Sequence, residues 1–301
     1  MKQKNYRLKK LNLVSEEVMT GKLEFKNLEV TEAYVREDFI LVWALQILKL
    51  IGKDNMDILN PQLREKEIGL EIVLEDAGEE LGLSLFWNPE EGIVKEEIWQ
   101  NGILVLGRNK GSEDDIPVFG QAWDGKYEDL IWERYQAKED FKFSCYLTKT
   151  STQGLRILET LRERIEVVRG EDIERNKDMN LSTLIYNLRN NYSRILEGVT
   201  EGEILEWYNR ILPSLGFSDY SVTGTYRIRQ GRYDFDLLAL GSGLKRLLFL
   251  IPILGGYSKN PGRTLYIQGI HSCLHPLVTR ELVNNFLPNK KEGTLIVSSC
   301  L

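Results

Sequence analysis

The last third of the chain alternates short apolar strand patterns with apolar helical ones, and that order constrains the fold more than any other feature. Residues 242–254 read as an apolar helix and residues 264–268 as a buried strand. Residues 276–286 read as a helix with Pro276 in its first turn, and residues 294–298 as a second buried strand. Strands that are apolar along their whole length are covered on both faces, and strand–helix–strand with short connections builds a parallel sheet. The first of these helices is entered through Leu240-Gly241-Ser242-Gly243-Leu244-Lys245-Arg246, a loop of small residues running straight into an apolar segment.

The first 150 residues read as β-rich. Residues 6–14 and 22–30 are strand patterns, and residues 69–75 and 81–87 alternate apolar and polar side chains. Residues 94–99 and 103–107 flank Gln100-Asn101-Gly102, where Asn-Gly predicts a type I′ hairpin turn with positive φ at both central positions. Residues 39–51 predict a buried helix ending before Gly52, residues 108–128 a loop, and residues 142–148 a further strand. The middle of the chain reads as helical. Leu155, Leu158, Leu161, Ile165 and Val168 keep helical spacing, as do Leu181 to Ile195 and Ile204 to Leu212, with a polar separator at 170–180. Residues 220–229 and 233–238 look like strands. The expected organisation is α/β and one discontinuous domain: a β-rich part at 1–150, a helical lobe at 151–215, and a C-terminal part at 216–301.

Composition excludes several classes. With 301 residues and a formal charge of −6, the chain does not coat nucleic acid by charge alone. Its basic N-terminus (Lys2, Lys4, Arg7, Lys9, Lys10) reads as a solvated strand face. Its three cysteines form no CxxC pair, which fits a cytoplasmic protein without a disulfide framework. No secretory leader is visible. The longest apolar run, broken by Gln46 and Lys49, falls short of the ~20 residues a membrane helix needs.

Taken with Leu274-His275-Pro276 downstream and the helical stretch Asn180-Leu181-Ser182-Thr183-Leu184, the loop at 240–246 resembles the signature region of ABC-type ATPase heads. These are the heads of SMC, RecF and the AAA-family ATPases of bacterial defence systems. The resemblance implies an ABC-head fold in which Gly241, Ser242, Gly243, Lys245 and Arg246 form a signature-like loop. In the family, that loop offers backbone N–H groups to a γ-phosphate held by the opposite subunit. It also implies that Ser272, Cys273, Leu274 and His275 form a D-loop-like interface.

Three positions depart from the family pattern. Where the Walker A loop GxxxxGK[ST] belongs, the chain reads Thr31-Glu32-Ala33-Tyr34-Val35-Arg36-Glu37-Asp38, with no glycine, and with Asp38 in place of the lysine. Where Walker B supplies Asp for Mg²⁺ and Glu for the attacking water, it has Gln268 and Gly269. Where the family's switch histidine ends a strand, it has Cys300. The resemblance therefore implies no catalytic residue here, and a pseudo-ATPase whose ATP and Mg²⁺ would be shared with an active partner. It implies a protein partner, an ABC-type ATPase or an effector subunit in a homo- or heterodimer. Nucleic acid would be reached through that complex, in DNA processing or phage defence, and no membrane is involved.

Two other readings stand beside it. One is a working ATPase with non-standard motifs, drawing its acid from Asp234 or Asp236. The other is a nucleotide-independent DNA-binding module. The remaining candidates read as structural. His271-x-Cys273-x-His275 lacks a fourth metal ligand, so no metal is expected. Glu96-Glu97 and Asp114-Asp115 read as solvated carboxylates, and Gln153 is a weak candidate for the loop that joins the two lobes of such heads.

Overall fold

Period-two alternation over residues 68–109 builds an antiparallel sheet in the computed structural model of the chain. The structure describes residues 6–14, 21–24, 30–33, 67–88, 92–109, 118–123, 152–163, 165–176, 179–260, 263–270, 272–286 and 294–298. The chain divides into two compact units, Met1–Lys26 with Arg36–Ile165, and Asn27–Val35 with Glu166–Leu301.

The first unit holds β1 (Arg7–Val14), β2 (Gly21–Glu24), β4 (Ile68–Asp76), β5 (Glu79–Asn88), β6 (Gly92–Gln100), β7 (Ile103–Asn109) and β8 (Val118–Phe119). They form one sheet in the order β2-β1-β4-β5-β6-β7-β8, with antiparallel neighbours throughout. Ile68, Leu70, Ile72 and Leu74 on β4 are buried, as are Leu81, Leu83, Leu85 and Trp87 on β5. The predicted Asn-Gly turn is present, with φ +51° at Asn101 and +76° at Gly102. The β4–β5 turn has the same character at Ala77 (+48°) and Gly78 (+86°). Helix α1 (Thr152–Glu163) packs on β5 and β6.

The second unit carries a four-stranded sheet in the order β3-β14-β13-β9, built from β3 (Val30–Ala33), β9 (Ile165–Val168), β13 (Thr264–Ile267) and β14 (Thr294–Ser298). β13 pairs with β14, and β14 with β3, both parallel. Its helices are α2 (Gly170–Asn176), α3 (Leu181–Asn191), α4 (Glu201–Ser214), α5 (Ser242–Lys259) and α6 (Pro276–Phe286). A small antiparallel sheet, β10 (Tyr220–Val222), β11 (Ile228–Gln230) and β12 (Tyr233–Phe235), precedes a 3₁₀ turn at Leu237–Ala239.

Helix α5 is the centre of this unit. It is buried without a break from Arg246 to Tyr257, and it touches α2, α3, α4 and α6. A helix apolar on all sides belongs inside a core. Pro252 within it has no N–H to give the carbonyl of Leu248, four residues earlier. The hydroxyl of Tyr208 on α4 donates to that carbonyl instead, at 2.6 Å, and burial raises the phenol's pKa and keeps it neutral. Helix α4 starts with a full capping box. Thr200 accepts from the Glu203 N–H, and the Glu203 carboxylate accepts from the Thr200 N–H. The side chain of Asn209 on the same helix bonds both the N–H and the carbonyl of Val222, fastening β10 to α4.

The structure corrects four readings. The expected strand over 233–238 ends at Phe235, because Leu237–Ala239 turn into a 3₁₀ helix. The expected strand over 22–30 is two strands in different sheets, β2 and β3. Ile165 and Val168 belong to strand β9 and do not continue the helix. Their spacing fits a helix by coincidence, and the β-branched Ile165, Val167 and Val168 suit a strand beside β13. The expected strand over 220–229 is the hairpin β10–β11, turned at 223–227 with φ +57° at Tyr226. The expected helix at 39–51 and strand at 142–148 lie outside the described residues.

Candidate functional site

β13 is buried along its whole length. The ladder to β9 runs one bond further, because the Gln268 N–H donates to the Val168 carbonyl at 2.9 Å. The chain then turns sharply at Gly269, with φ +62°. In open parallel sheets the crevice at the carboxyl ends of the strands is where ligands bind. Here that edge presents Gln268 and Gly269, a neutral amide and a bare backbone.

The Gly269 carbonyl receives two donors. One is the Ser272 N–H at 3.0 Å, and the other is the guanidinium of Arg246, which reaches across from α5. Arg246 is only 3% exposed, so its burial is tied to this strand end. The second residue of the same helix, Gly243, is a glycine for a steric reason. A Cβ on Gly243 would lie 2.8 Å from the Cys273 carbonyl oxygen, so the loop at 241–243 and the turn at 272–275 meet backbone to backbone. Gly241 is the N-cap of α5 and supplies no side-chain hydrogen bond; Gly241 and Ser242 are exposed, and Lys245 is half-buried.

The turn after Gly269 holds a second left-handed residue, Cys273, at φ +62°. Cys273 is exposed, Ser272 half-buried and Leu274 buried. His275 caps α6: its Nδ1 accepts from the Leu277 N–H at 3.2 Å, and its carbonyl accepts from the Thr279 N–H at 3.1 Å. A cavity of about 130 Å³ lies at this corner, bounded by Ser242, Lys245, Arg246 and Cys273 and, on α2, by Glu174 and Asn176. The two α2 residues went unnoticed in the sequence, because the polar stretch at 170–180 reads as a separator.

Thus the structure brings Gly243, Arg246, Gly269 and Cys273 together from two separate sequence motifs. Glu37, Asp38, His271 and Cys300 lie outside the described residues, as do Asp114 and Asp115. Gln153 belongs to the first unit. It is buried on α1 and donates to Gln100 Oε1 at 3.0 Å. The residue that leaves the strand beside β13 for the helices is Arg169, whose N–H donates to Asp172 Oδ2 at 3.2 Å. That carboxylate also accepts from the Tyr192 hydroxyl at 2.9 Å, and burial followed by the charge of Asp172 holds the phenol's pKa far above its ordinary value.

The paired carboxylates do not converge. Glu96 is buried beside Arg108 at 3.4 Å, whereas Glu97 pairs with Lys95 at 3.0 Å. Successive residues of a strand face opposite sides, so the two cannot share one proton. Asp234 is held by Arg229 at 2.8 Å, and that hydrogen bond lowers its pKa. Asp236 is the N-cap residue of the 3₁₀ turn and makes no side-chain capping bond. Lys10 pairs with Glu71 at 2.8 Å, and Lys9 pairs with Glu80 and with Glu75. Among the described residues no cluster of His, Cys, Asp and Glu could hold a metal, and no helix is long and apolar enough to cross a membrane.

No protein-family model and no curated protein matches this sequence. Among solved structures the chain is similar to SMC head domains. An SmcHead solved bound to the C-winged helix domain of ScpA matches with a TM-score of 0.55 at 12% identity, over 98% of this chain and 90% of that one. The SMC head domain of Thermotoga maritima matches with a TM-score of 0.49 at 15% identity, over 98% and 89%. The Smc head domain with an extended coiled coil, bound to the C-terminal domain of ScpA derived from Pyrococcus furiosus, matches with a TM-score of 0.49 at 10% identity, over 98% and 90%. The chain has an α/β fold of the ABC-ATPase head type, with a β-rich N-terminal part, helices, and C-terminal parallel strands. Within that class its likeness is to the SMC head.

Proposed function

We propose that this chain is a pseudo-ATPase. On this reading it is a head that has given up phosphoryl transfer in its own site and works as a scaffold or regulatory subunit of a DNA-processing or phage-defence complex. The end of β13 supports this reading. Phosphoryl transfer needs a carboxylate to hold Mg²⁺ and another group to orient the attacking water. Residues 268 and 269 supply no carboxylate for the metal and no base for the water, and the Gly269 carbonyl is already engaged by a guanidinium and an N–H. A buried cation at that place opposes a second cation rather than attracting it.

The signature-like loop favours a role in trans. Gly241 and Ser242 are exposed at the start of an 18-residue helix, whose free N–H groups suit a phosphate held by another chain. An SMC head similar to this chain was solved with the C-winged helix domain of ScpA bound, which agrees with a head that works in a protein assembly. The test is co-purification from the native host, followed by ATP turnover measurements. A co-purifying intact ATPase should turn over faster with this chain than alone, and Ser242→Trp should remove the gain. A chain that accelerates nothing, and whose Ser242→Trp variant behaves as wild type, would rule out the role in trans.

The two alternatives draw less support. The carboxylate of Asp234 is occupied by Arg229, and Lys9 and Lys10 of the basic strand are neutralised by glutamates.

A further inference from the structure

We infer that the turn from Gln268 to His275 is a strained latch held shut by helix α5, so that the signature-like loop and the D-loop-like turn change conformation together. Two fastenings carry the inference. Gly243 packs against the Cys273 carbonyl so closely that no Cβ fits between them, and Arg246 donates to the Gly269 carbonyl from a buried position. Between these points the turn contains Cys273 at φ +62°, a conformation that disfavours any residue with a Cβ. Such a conformation persists only where its surroundings enforce it. Nothing in cysteine itself favours it, so the enforcement comes from the flanking contacts. Arg246 is therefore a positioning residue: withdrawing it removes the hold of α5 on Gly269 and leaves the Ser272 N–H bond within the turn, and Cys273 then relaxes to negative φ. A chain seated on the exposed Gly241 and Ser242 moves the start of α5, and through these contacts it moves residues 269–275. The proposed role in trans supplies only that trigger. The latch itself is a property of the isolated chain.

Hydrogen–deuterium exchange on the 301-residue chain without nucleotide tests it. In Arg246→Met, the peptide covering 268–276 should exchange about tenfold faster, while peptides of α4 keep wild-type protection. Adding Cys273→Gly should restore much of the protection, because glycine holds positive φ without steric cost. Unchanged exchange in Arg246→Met overturns the inference, and so does acceleration that Cys273→Gly fails to rescue. If Arg246→Met does not fold, Gly243→Ala reads the same coupling from the other fastening. Faster exchange at 268–276, rescued by Cys273→Gly, supports the latch, and unchanged exchange refutes it. Failure here leaves the pseudo-ATPase proposal standing, and ATP hydrolysis by the chain would overturn that proposal without touching this one.

Discussion

Tyr208→Phe isolates one atom whose role the structure defines. The hydroxyl is fully buried and donates to the Leu248 carbonyl, the acceptor that Pro252 cannot serve. Removing it leaves the ring and its packing in place but takes away the donor. A buried acceptor left without a partner costs about 1–3 kcal/mol. The expected loss in urea-unfolding free energy is in that range. A second substitution separates this cause from generic core damage. Pro252→Ala gives residue 252 an N–H, which can bond Leu248 as in any α-helix. Pro252→Ala carries its own cost from lost volume, but in that background Tyr208→Phe should be about 1 kcal/mol cheaper than in the wild type. Equal costs in both backgrounds would refute the reasoning, and would mean that the hydroxyl does not compensate for the proline.

Two further outcomes are expected. Gly255→Ala would place a Cβ 2.3 Å from the ring of Trp207, which itself stands edge-on to Phe286 at 6.2 Å. Alanine gains about 1 kcal/mol over glycine within a helix, but overpacking against a confined indole costs about 1–3 kcal/mol. Net destabilisation is therefore expected, and an unfolding midpoint at or above wild type would contradict it. Glu203 has its pKa lowered from 4.5 to about 2 by hydrogen bonds from Lys259 first and then from Thr200. Because the folded value is the lower one, its contribution is present above pH 4.5 and is lost as pH falls toward 2. Melting curves of Glu203→Gln should therefore show a shallower acid limb than wild type over that window, whereas parallel limbs would contradict the assignment.

Local chemistry was the part of the fold that the sequence made legible. Asn101-Gly102 announced its turn because both residues tolerate positive φ, and Pro276–Phe286 and Thr294–Ser298 occur with the bounds read from their patterns. The turn at Ala77-Gly78 escaped notice because alanine is not a residue of left-handed backbone, although Gly78 was a signal. Ile165 and Val168 were misread because four residues cannot distinguish a helical period from a short strand. At the site, the small residues of 241–243 were visible as a motif. The approach of Gly243 to Cys273 was not, because it depends on two segments thirty residues apart meeting in space. Arg246 was read as one letter of the motif. Its burial could not be foreseen, because charged side chains enter a core only where a specific partner waits, and the partner here is a backbone carbonyl.

The most direct test of the central claim is Mg²⁺-dependent ATP turnover by the purified chain, measured together with calorimetric binding of a non-hydrolysable ATP analogue. The account predicts no turnover above the buffer rate and no magnesium-dependent binding by the chain alone. Turnover that requires Mg²⁺ and disappears in Gln268→Ala would contradict it.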